Sequence, residues 1–313
     1  MKLSVIIPAY NEQESLPQLL EEIHSICNKN SISYEVIIVD DGSTDGSFEW
    51  IESMSEKSEN LHGIRFRYNC GKAAALSAGF KLCSGEYVVT MDGDLQDNPV
   101  EIPEMLEKLQ NGVDMVSGWK KKRYDPWHKT LPSKFFNMTV RSMSGVKLHD
   151  FNCGFKAYKQ EVVKTLHIYG ELHRFIPVIA HWNGFSVEEH VVVHRSRIHG
   201  KSKYGLARLS NGFFDLVSLM FLHKYTYRPL HLFGFLGLFC SMFGFAILSW
   251  FALQWLLTGA LHMRPLILGG IAAILLGFQI VSLGLLAEML VQKSKNDYPV
   301  SLVTSHIDKR KLL

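Results

Sequence analysis

Asp92, Asp94, Gln96 and Asp97 crowd into one short segment, Tyr87 to Pro99. Like charges a few Å apart repel and raise one another's pKa, so this much acid in one place calls for a positive partner. Hard oxygen ligands from two carboxylates and an amide suit Mg²⁺ or Mn²⁺, with the remaining positions left to water and substrate phosphates. The plain alternative is an acidic surface turn in which an Asp caps a helix. An isolated Asp-x-Asp does not decide between them; the rest of the chain has to.

The acids follow Tyr87, Val88 and Val89, which read as a buried strand, and Asn98-Pro99 closes the segment as a turn opening a helix. The same layout occurs three times before. Leu3 to Ile7 is a continuous apolar run bounded by Pro8, as expected of a strand covered on both faces. A polar loop from Pro8 to Glu12 leads to a helix with Leu16, Leu19, Leu20, Ile23, Ile26 and Cys27 on one face. Tyr34 to Val39 runs into Asp40 to Asp45, where Ser43 or Thr44 is expected to cap a helix reaching about Glu56. A strand near Ile64 to Phe66 leads to Asn69 to Lys72 and the small-residue helix Ala73 to Leu82. This is an α/β layout with a mainly parallel sheet and helices on both faces, and such sheets bind ligands beyond the carboxyl ends of their strands. All four polar loops fall on that edge.

The pocket so outlined lacks G-x-G-x-x-G after the first strand, and Gly71-Lys72 has the wrong spacing for a Walker loop, so hydride transfer and ATP-driven work are poorly supported. Tyr10 can stack on a base, Asp40 or Asp41 can accept from a base N–H, and Glu12 can accept from ribose hydroxyls. Asp92 and Asp94 would then grip a diphosphate through the metal.

Pro8 to Glu12, Asp40 to Asp45, Asn69-x-Gly71-Lys72 and Asp92 to Asp97 resemble, in order and spacing, the GT-A glycosyltransferases of family 2. Within that family the chain is similar to the polyprenyl-phosphate glycosyltransferases, the group containing dolichyl-phosphate mannose synthase and bacterial enzymes that charge undecaprenyl phosphate with a sugar. The resemblance spans essentially the whole chain, and it implies a GT-A, Rossmann-like sheet and a UDP- or GDP-linked sugar donor. It assigns Asp92, Asp94 and Gln96 to the metal and Tyr10, Asn11, Glu12 and Asp41 to the nucleoside. Pro8, Ala9, Asp40, Lys72 and Gly93 complete the expected donor set. Inversion at the anomeric carbon is also implied.

An acceptor phosphate near these acids needs counter-charge, which Lys and Arg supply. Lys120, Lys121, Lys122 and Arg123 form one basic loop, with Lys129 and Lys134 beyond it; Arg174, Arg195, Arg197, Lys201 and Lys203 form a second group. The spacing from Arg197 to Tyr204 matches the family. Lys120, Arg123, Arg174, Arg197, Ser202 and Lys203 are therefore expected at the acceptor phosphate, and Asp94, Asp97, Lys120, Arg123, Arg197 and Lys203 as the catalytic set. A solvated charge run is the competing reading of the first loop, and headgroup contact that of the second. Trp119, Tyr124 and Trp127 fit either a lipid headgroup level or a core. Asp150 can be read as a base, yet a phosphate monoester, with a second pKa of about 6, is already an anion and needs none. Gly154-Phe155-Lys156 resembles the family segment flanking the acceptor site. His181, His190, His194 and His199 lack metal-ligand spacing.

With Lys plus Arg at 33 and Asp plus Glu at 30 in 313 residues, the formal charge of +3 argues against a dedicated nucleic-acid binder. Cys27, Cys70, Cys83, Cys153 and Cys240 are odd in number and contain no C-x-x-C, so reduced thiols are expected. The amino terminus enters a strand directly, without a signal-peptide pattern. No Asp, Glu, Lys or Arg lies between Arg228 and Arg264, nor from Pro265 to Ala287; both runs exceed the ~20 residues that cross a bilayer. Lys224 and Arg228 before this hairpin and Lys293 and Lys295 after it place both ends in the cytoplasm by the positive-inside rule. The expected organisation is a cytoplasmic catalytic domain over 1–204, a juxtamembrane amphipathic helix over 205–228, transmembrane helices over 229–258 and 264–291, and a polar tail over 292–313. The location would be a bacterial inner or plasma membrane. Gly234, Gly237 and Gly244 permit close helix contact, hence an expected homo-oligomer. A processive polysaccharide synthase is a rival, though Gln-x-x-Arg-Trp is missing; a non-enzymatic membrane scaffold is the other.

Overall fold

The computed structural model describes residues 2–121, 137–195, 218, 220–221, 229–259 and 265–294, with side chains as far as 290. The chain divides into two compact units, Met1–Leu216 and Val217–Leu313.

In the first unit β1 (Lys2–Ala9), α1 (Leu16–Lys29), β2 (Ser33–Asp40), α2 (Ser47–Ser55), β3 (Leu61–Arg65), α3 (Lys72–Leu82) and β4 (Tyr87–Thr90) alternate as the sequence implies. A 3-10 turn (Pro99–Glu101) leads into α4 (Ile102–Gln110), followed by β5 (Met115–Trp119), β6 (Lys156–Lys159), α5 (Gln160–Thr165), α6 (Ile176–Trp182) and β7 (Val187–Val191). The sheet order is β3-β2-β1-β4-β6-β5-β7. β1 pairs in parallel with β2 and β4, and β2 with β3, whereas β6 runs antiparallel between β4 and β5.

The continuous apolar runs explain this order. Val5, Ile6, Ile37, Ile38, Val88 and Val89 are fully buried, so β1, β2 and β4 take the centre where helices cover both faces. β1 extends through Pro8 and does not end before it. Ile6 accepts from the Met91 N–H on the β4 side, so Pro8, two residues on, turns its missing N–H to that side, where β4 has already ended at Thr90. Pro8 thereby costs no ladder bond. Ser43 and Thr44 do not cap α2: Gly46 stands at its N-cap, and Asp45 Oδ1 accepts the Ser47 N–H at 3.0 Å.

The second unit contains α7 (Pro229–Thr258) and α8 (Pro265–Ser294), each long and apolar enough to cross a membrane. Phe235, Phe245, Leu257 and Phe278 are all more than two-thirds exposed, which excludes a soluble core helix and fits a lipid surround. α8 runs past residue 291, the expected end of the second span, to Ser294. The juxtamembrane helix and the polar tail lie largely outside the described residues. The two helices meet on glycine. A β-carbon at Gly237 would stand 2.6 Å from the Gly277 carbonyl oxygen, one at Gly277 would stand 2.5 Å from the Gly237 carbonyl oxygen, and one at Gly244 would stand 2.5 Å from that of Gly270. Gly237 and Gly244, read from sequence as contacts between copies, are thus taken up within the hairpin. Glu288 Oε2 accepts the Leu230 N–H at 3.3 Å, tying the start of α7 to the end of α8.

Replacing Gly277 with Leu should lower the thermal unfolding midpoint in detergent, by about 1–3 kcal/mol of overpacking. Gly269→Leu, where among the described residues no other side chain or helix approaches within 4 Å of a β-carbon, should leave the midpoint unchanged.

Candidate functional site

The four polar loops meet at the carboxyl end of the parallel strands, each joined to the next by a specific bond and the fourth approaching the first in van der Waals contact. Asn11, held at φ 55, donates its N–H to Ser43 Oγ at 2.8 Å and accepts the Thr44 N–H on its side-chain oxygen at 2.8 Å. The Glu12 N–H donates to Ser47 Oγ at 3.0 Å. Asp41 accepts from the Cys70 and Gly71 N–H groups at 2.7 and 2.9 Å, joining the end of β2 to the start of α3. Lys72, the first residue of α3, places its ammonium on Asp92. Gly93 closes the ring: a β-carbon there would lie 3.6 Å from Glu12 Cγ and from the Pro8 carbonyl oxygen.

The acid loop is folded on itself. Leu95 is fully buried with a left-handed φ of 61, so the backbone reverses between Asp94 and Gln96. Asp94 accepts the Gln96 N–H at 3.1 Å and Asp97 accepts the Asp92 N–H at 3.2 Å. Asp97 has no exposed side-chain surface and pairs with Lys120 at 2.9 Å. Asp92 keeps a third of its side chain exposed. Burial alone would raise the pKa of Asp92, but Lys72 and then Lys120 outweigh it and hold the carboxyl well below the usual range. For Lys120, burial opposes the charge and Asp97 overrides it, so the ammonium is held above its ordinary pKa.

A third lysine enters from β6. Lys156 is buried, donates to the Cys153 carbonyl, and is pushed down by burial to about 8. Thr90 Oγ1 donates to the Gly154 carbonyl at 2.9 Å, and a β-carbon at Gly154 would stand 2.7 Å from both Asp92 Oδ2 and Lys72 Nζ. The Gly154-Phe155-Lys156 segment therefore packs directly on the Lys72–Asp92 pair.

Several expectations change at this point. Asp40 has no exposed surface; it accepts the Ser43 N–H at 3.2 Å and lies 3.8 Å from Arg65, so it organises its loop. Asp41 is buried with both oxygens on backbone N–H groups, and burial raises its pKa against their opposing effect. Lys120 neutralises Asp97, and Arg174 is buried with its guanidinium on Glu171, so both expected phosphate ligands already hold carboxylates. Arg195 bonds Glu22 at 2.8 and 3.0 Å and Asn98 at 2.8 Å, clamping α1 to the acid loop. Trp119 stacks on His149, ring centroids 4.3 Å apart, and His149 is held by Glu189 at 2.7 Å. Arg123, Arg197, Ser202 and Lys203 lie outside the described residues, as do Tyr124 and Trp127. The roles of Lys156, Gly154 and Glu189 were not read from sequence; the Gly-Phe-Lys segment was the signal for the first two.

The donor chemistry fits a hard divalent ion: Asp92 is part-exposed beside Asp94, and Gln96 lies one residue past the reversal at Leu95. Asp97, sealed against Lys120, is a support and not a ligand. The cluster Glu101, Glu104 and His190 also brings three ligand atoms within 4.8 Å of one another, but His190 already pairs with Glu101 at 3.0 Å.

Gly154→Ala should leave the thermal midpoint nearly unchanged, since the ends of flexible side chains can yield. It should still cut turnover on the order of 100-fold by displacing Asp92. Lys156 is charged in the unfolded chain up to 10.5 but in the folded protein only to about 8. Between those values the unfolded state binds more protons, so stability rises with pH. The burial penalty is in force below 8 and relieved above it. Lys156→Met should therefore be the more stable form at neutral pH, and the wild-type midpoint should converge on it as pH climbs from 8 towards 10.5. A gap that stays constant across that window would contradict a discharged, buried lysine.

Residues 4–166 match the family model described as Glycosyl transferase family 2. The dodecaprenyl-phosphate galacturonate synthase of Rhizobium johnstonii is 34% identical over 95% of this chain and 90% of its own length. The undecaprenyl-phosphate 4-deoxy-4-formamido-L-arabinose transferase of Aeromonas hydrophila is 36% identical over 92% and 88%. Among solved structures, glucosyl-3-phosphoglycerate synthase from Mycobacterium tuberculosis, in complex with Mn²⁺, UDP and glucosyl-3-phosphoglycerate, superposes with a TM-score of 0.53. It covers 71% of this chain and 79% of its own at 18% identity, a likeness of fold alone. With a family match over more than half its length and relatives aligned nearly end to end, this chain belongs to glycosyl transferase family 2.

Proposed function

We propose that the protein transfers a sugar from a nucleotide-diphosphate sugar to a polyprenyl phosphate at the cytoplasmic face of a bacterial inner membrane. The observation that carries the reading is the junction of four loops around Asp92 and Asp94, each loop bonded to the next, at the edge where α/β sheets bind ligands. Two relatives whose names each pair a polyprenyl phosphate with a sugar support the acceptor class. The two apolar helices support a membrane location.

In this reading Tyr10, Asn11 and Glu12 receive the nucleoside, while Asp41 fixes the floor beneath them by holding the Cys70–Gly71 backbone. Asp92, Asp94 and Gln96 would hold Mg²⁺ or Mn²⁺, which would supply charge neutralisation for the departing diphosphate. An acceptor phosphate oxygen attacks the anomeric carbon opposite the diphosphate. The new carbon–oxygen bond forms as the bond to the diphosphate oxygen breaks, inverting configuration. The acceptor arrives as an anion, so no residue need take a proton. Buried Asp150, which accepts the Asn152 N–H at 3.1 Å, is a loop support. With Lys120 and Arg174 paired to acids, the acceptor phosphate falls to Arg123, Arg197, Ser202 and Lys203. Catalysis is assigned to residues 1–204, and both termini to the cytoplasm by the flanking lysines and arginines.

Purified protein supplied with Mn²⁺ or Mg²⁺, undecaprenyl phosphate and a panel of labelled UDP- and GDP-sugars should yield a labelled, chloroform-extractable lipid from at least one donor. Asp94→Ala should abolish it. No labelled lipid from any donor would overturn the reading, and a polymer formed from donor alone would favour a processive synthase.

A further inference from the structure

Lys72 stands in an unusual place. It opens α3, where the helix dipole disfavours a cation, and the first turn of that helix carries no acid to offset it. Its ammonium instead crosses to Asp92, one of the carboxylates assigned to the divalent ion. The pair lies partly open, with 19% of the Lys72 side chain and 33% of the Asp92 side chain exposed. On its covered side the Gly154 backbone leaves no space, since a β-carbon there would meet both Lys72 Nζ and Asp92 Oδ2 at 2.7 Å. The ammonium therefore has room on its open side and none towards Gly154. Lys120 and Lys156 also act on Asp92, but from fixed positions: Lys120 sits on fully covered Asp97, and Lys156 is buried on the Cys153 carbonyl.

A divalent ion and an ammonium cannot share the same carboxylate oxygens at low cost, because like charges at contact repel. We propose that Lys72 is a placeholder cation: it holds Asp92 until ion and donor arrive, is displaced outward by the ion, and then pairs with the donor diphosphate. This rests on the donor reading above and deepens it. With the ion alone, the displaced ammonium exchanges a carboxylate for water. The ion together with a diphosphate provides the displaced ammonium with a new anion, in a charge-assisted contact. Ion and donor therefore load as a unit, with Lys72 as the positioning residue that couples them.

Mn²⁺ binding to the full-length protein in detergent, read by electron paramagnetic resonance with and without UDP or GDP, tests this apart from any transfer. In the wild type, Mn²⁺ alone should bind weakly, and one of the two nucleotides should tighten it by about tenfold or more. Lys72→Met should bind Mn²⁺ alone about tenfold more tightly than the wild type and show a nucleotide effect smaller by about the same factor, the remainder being direct ligation by the diphosphate. Lys72→Arg, which keeps the cation, should behave like the wild type, and all three should share a thermal midpoint within a few degrees. Lys72→Met binding Mn²⁺ no tighter than the wild type, or keeping the full nucleotide effect, would overturn the placeholder role while leaving the donor reading intact. Failure of the wild type to bind Mn²⁺ with either nucleotide would instead bring down the donor reading, and the placeholder with it.

Discussion

The structure depends on charge compensation at a single sheet edge. Asp92, Asp94 and Asp97 follow one strand, while Asp40 ends and Asp41 follows another two places across. Two like charges 4 Å apart cost about 4 kcal/mol at an effective dielectric of 20, so an uncompensated cluster would consume much of a domain's stability. The chain supplies lysines from three separate elements: Lys72 at the head of α3, Lys120 just after β5, and Lys156 at the start of β6. Backbone N–H groups do the rest, at Asp41 from Cys70 and Gly71 and at Asp97 from Asp92.

That arrangement divides the acids by exposure, and exposure divides their chemistry. A carboxylate with no open surface, such as Asp97 against Lys120, fixes geometry and cannot exchange partners with a ligand. One with a third of its surface open, such as Asp92, can. Leu95 stands between these two in the chain. A left-handed conformation costs a side-chain-bearing residue about 1–2 kcal/mol, and burying a leucine returns about 1.5–3 kcal/mol. The reversal is thus sustained by the core, and it lies between part-exposed Asp92 and covered Asp97.

Much of this was legible in the chain. Continuous apolar runs ending in polar loops specify a central parallel sheet and the edge its ligands use, because both strand burial and loop position are local properties of sequence. The partners of cations are not local. Arg195 and Glu22, or Lys120 and Asp97, are matched by the fold, so a basic run reads as available charge until its partners are seen. The same applies to β6, whose antiparallel insertion between β4 and β5 depends on a strand order that no local periodicity encodes. Ser43 and Thr44 carry the composition of a helix cap, yet they bind Asn11 across the site, because a neighbouring loop offered better-placed partners than the helix end did.

The membrane unit narrows the choice of reaction class in its own way. A synthase that extrudes its product needs a polar path through the bilayer, and a path needs separation between helices. α7 and α8 do the reverse: at Gly237 and Gly277, and again at Gly244 and Gly270, their backbones approach so closely that a single added methyl would collide with a carbonyl oxygen. The outward faces, lined by Phe235, Phe245 and Phe278, suit hydrocarbon and not a saccharide. A polymer could not pass between these helices, whereas a hairpin sealed on glycine and apolar outside is sufficient to anchor an enzyme whose product remains in the membrane with its acceptor.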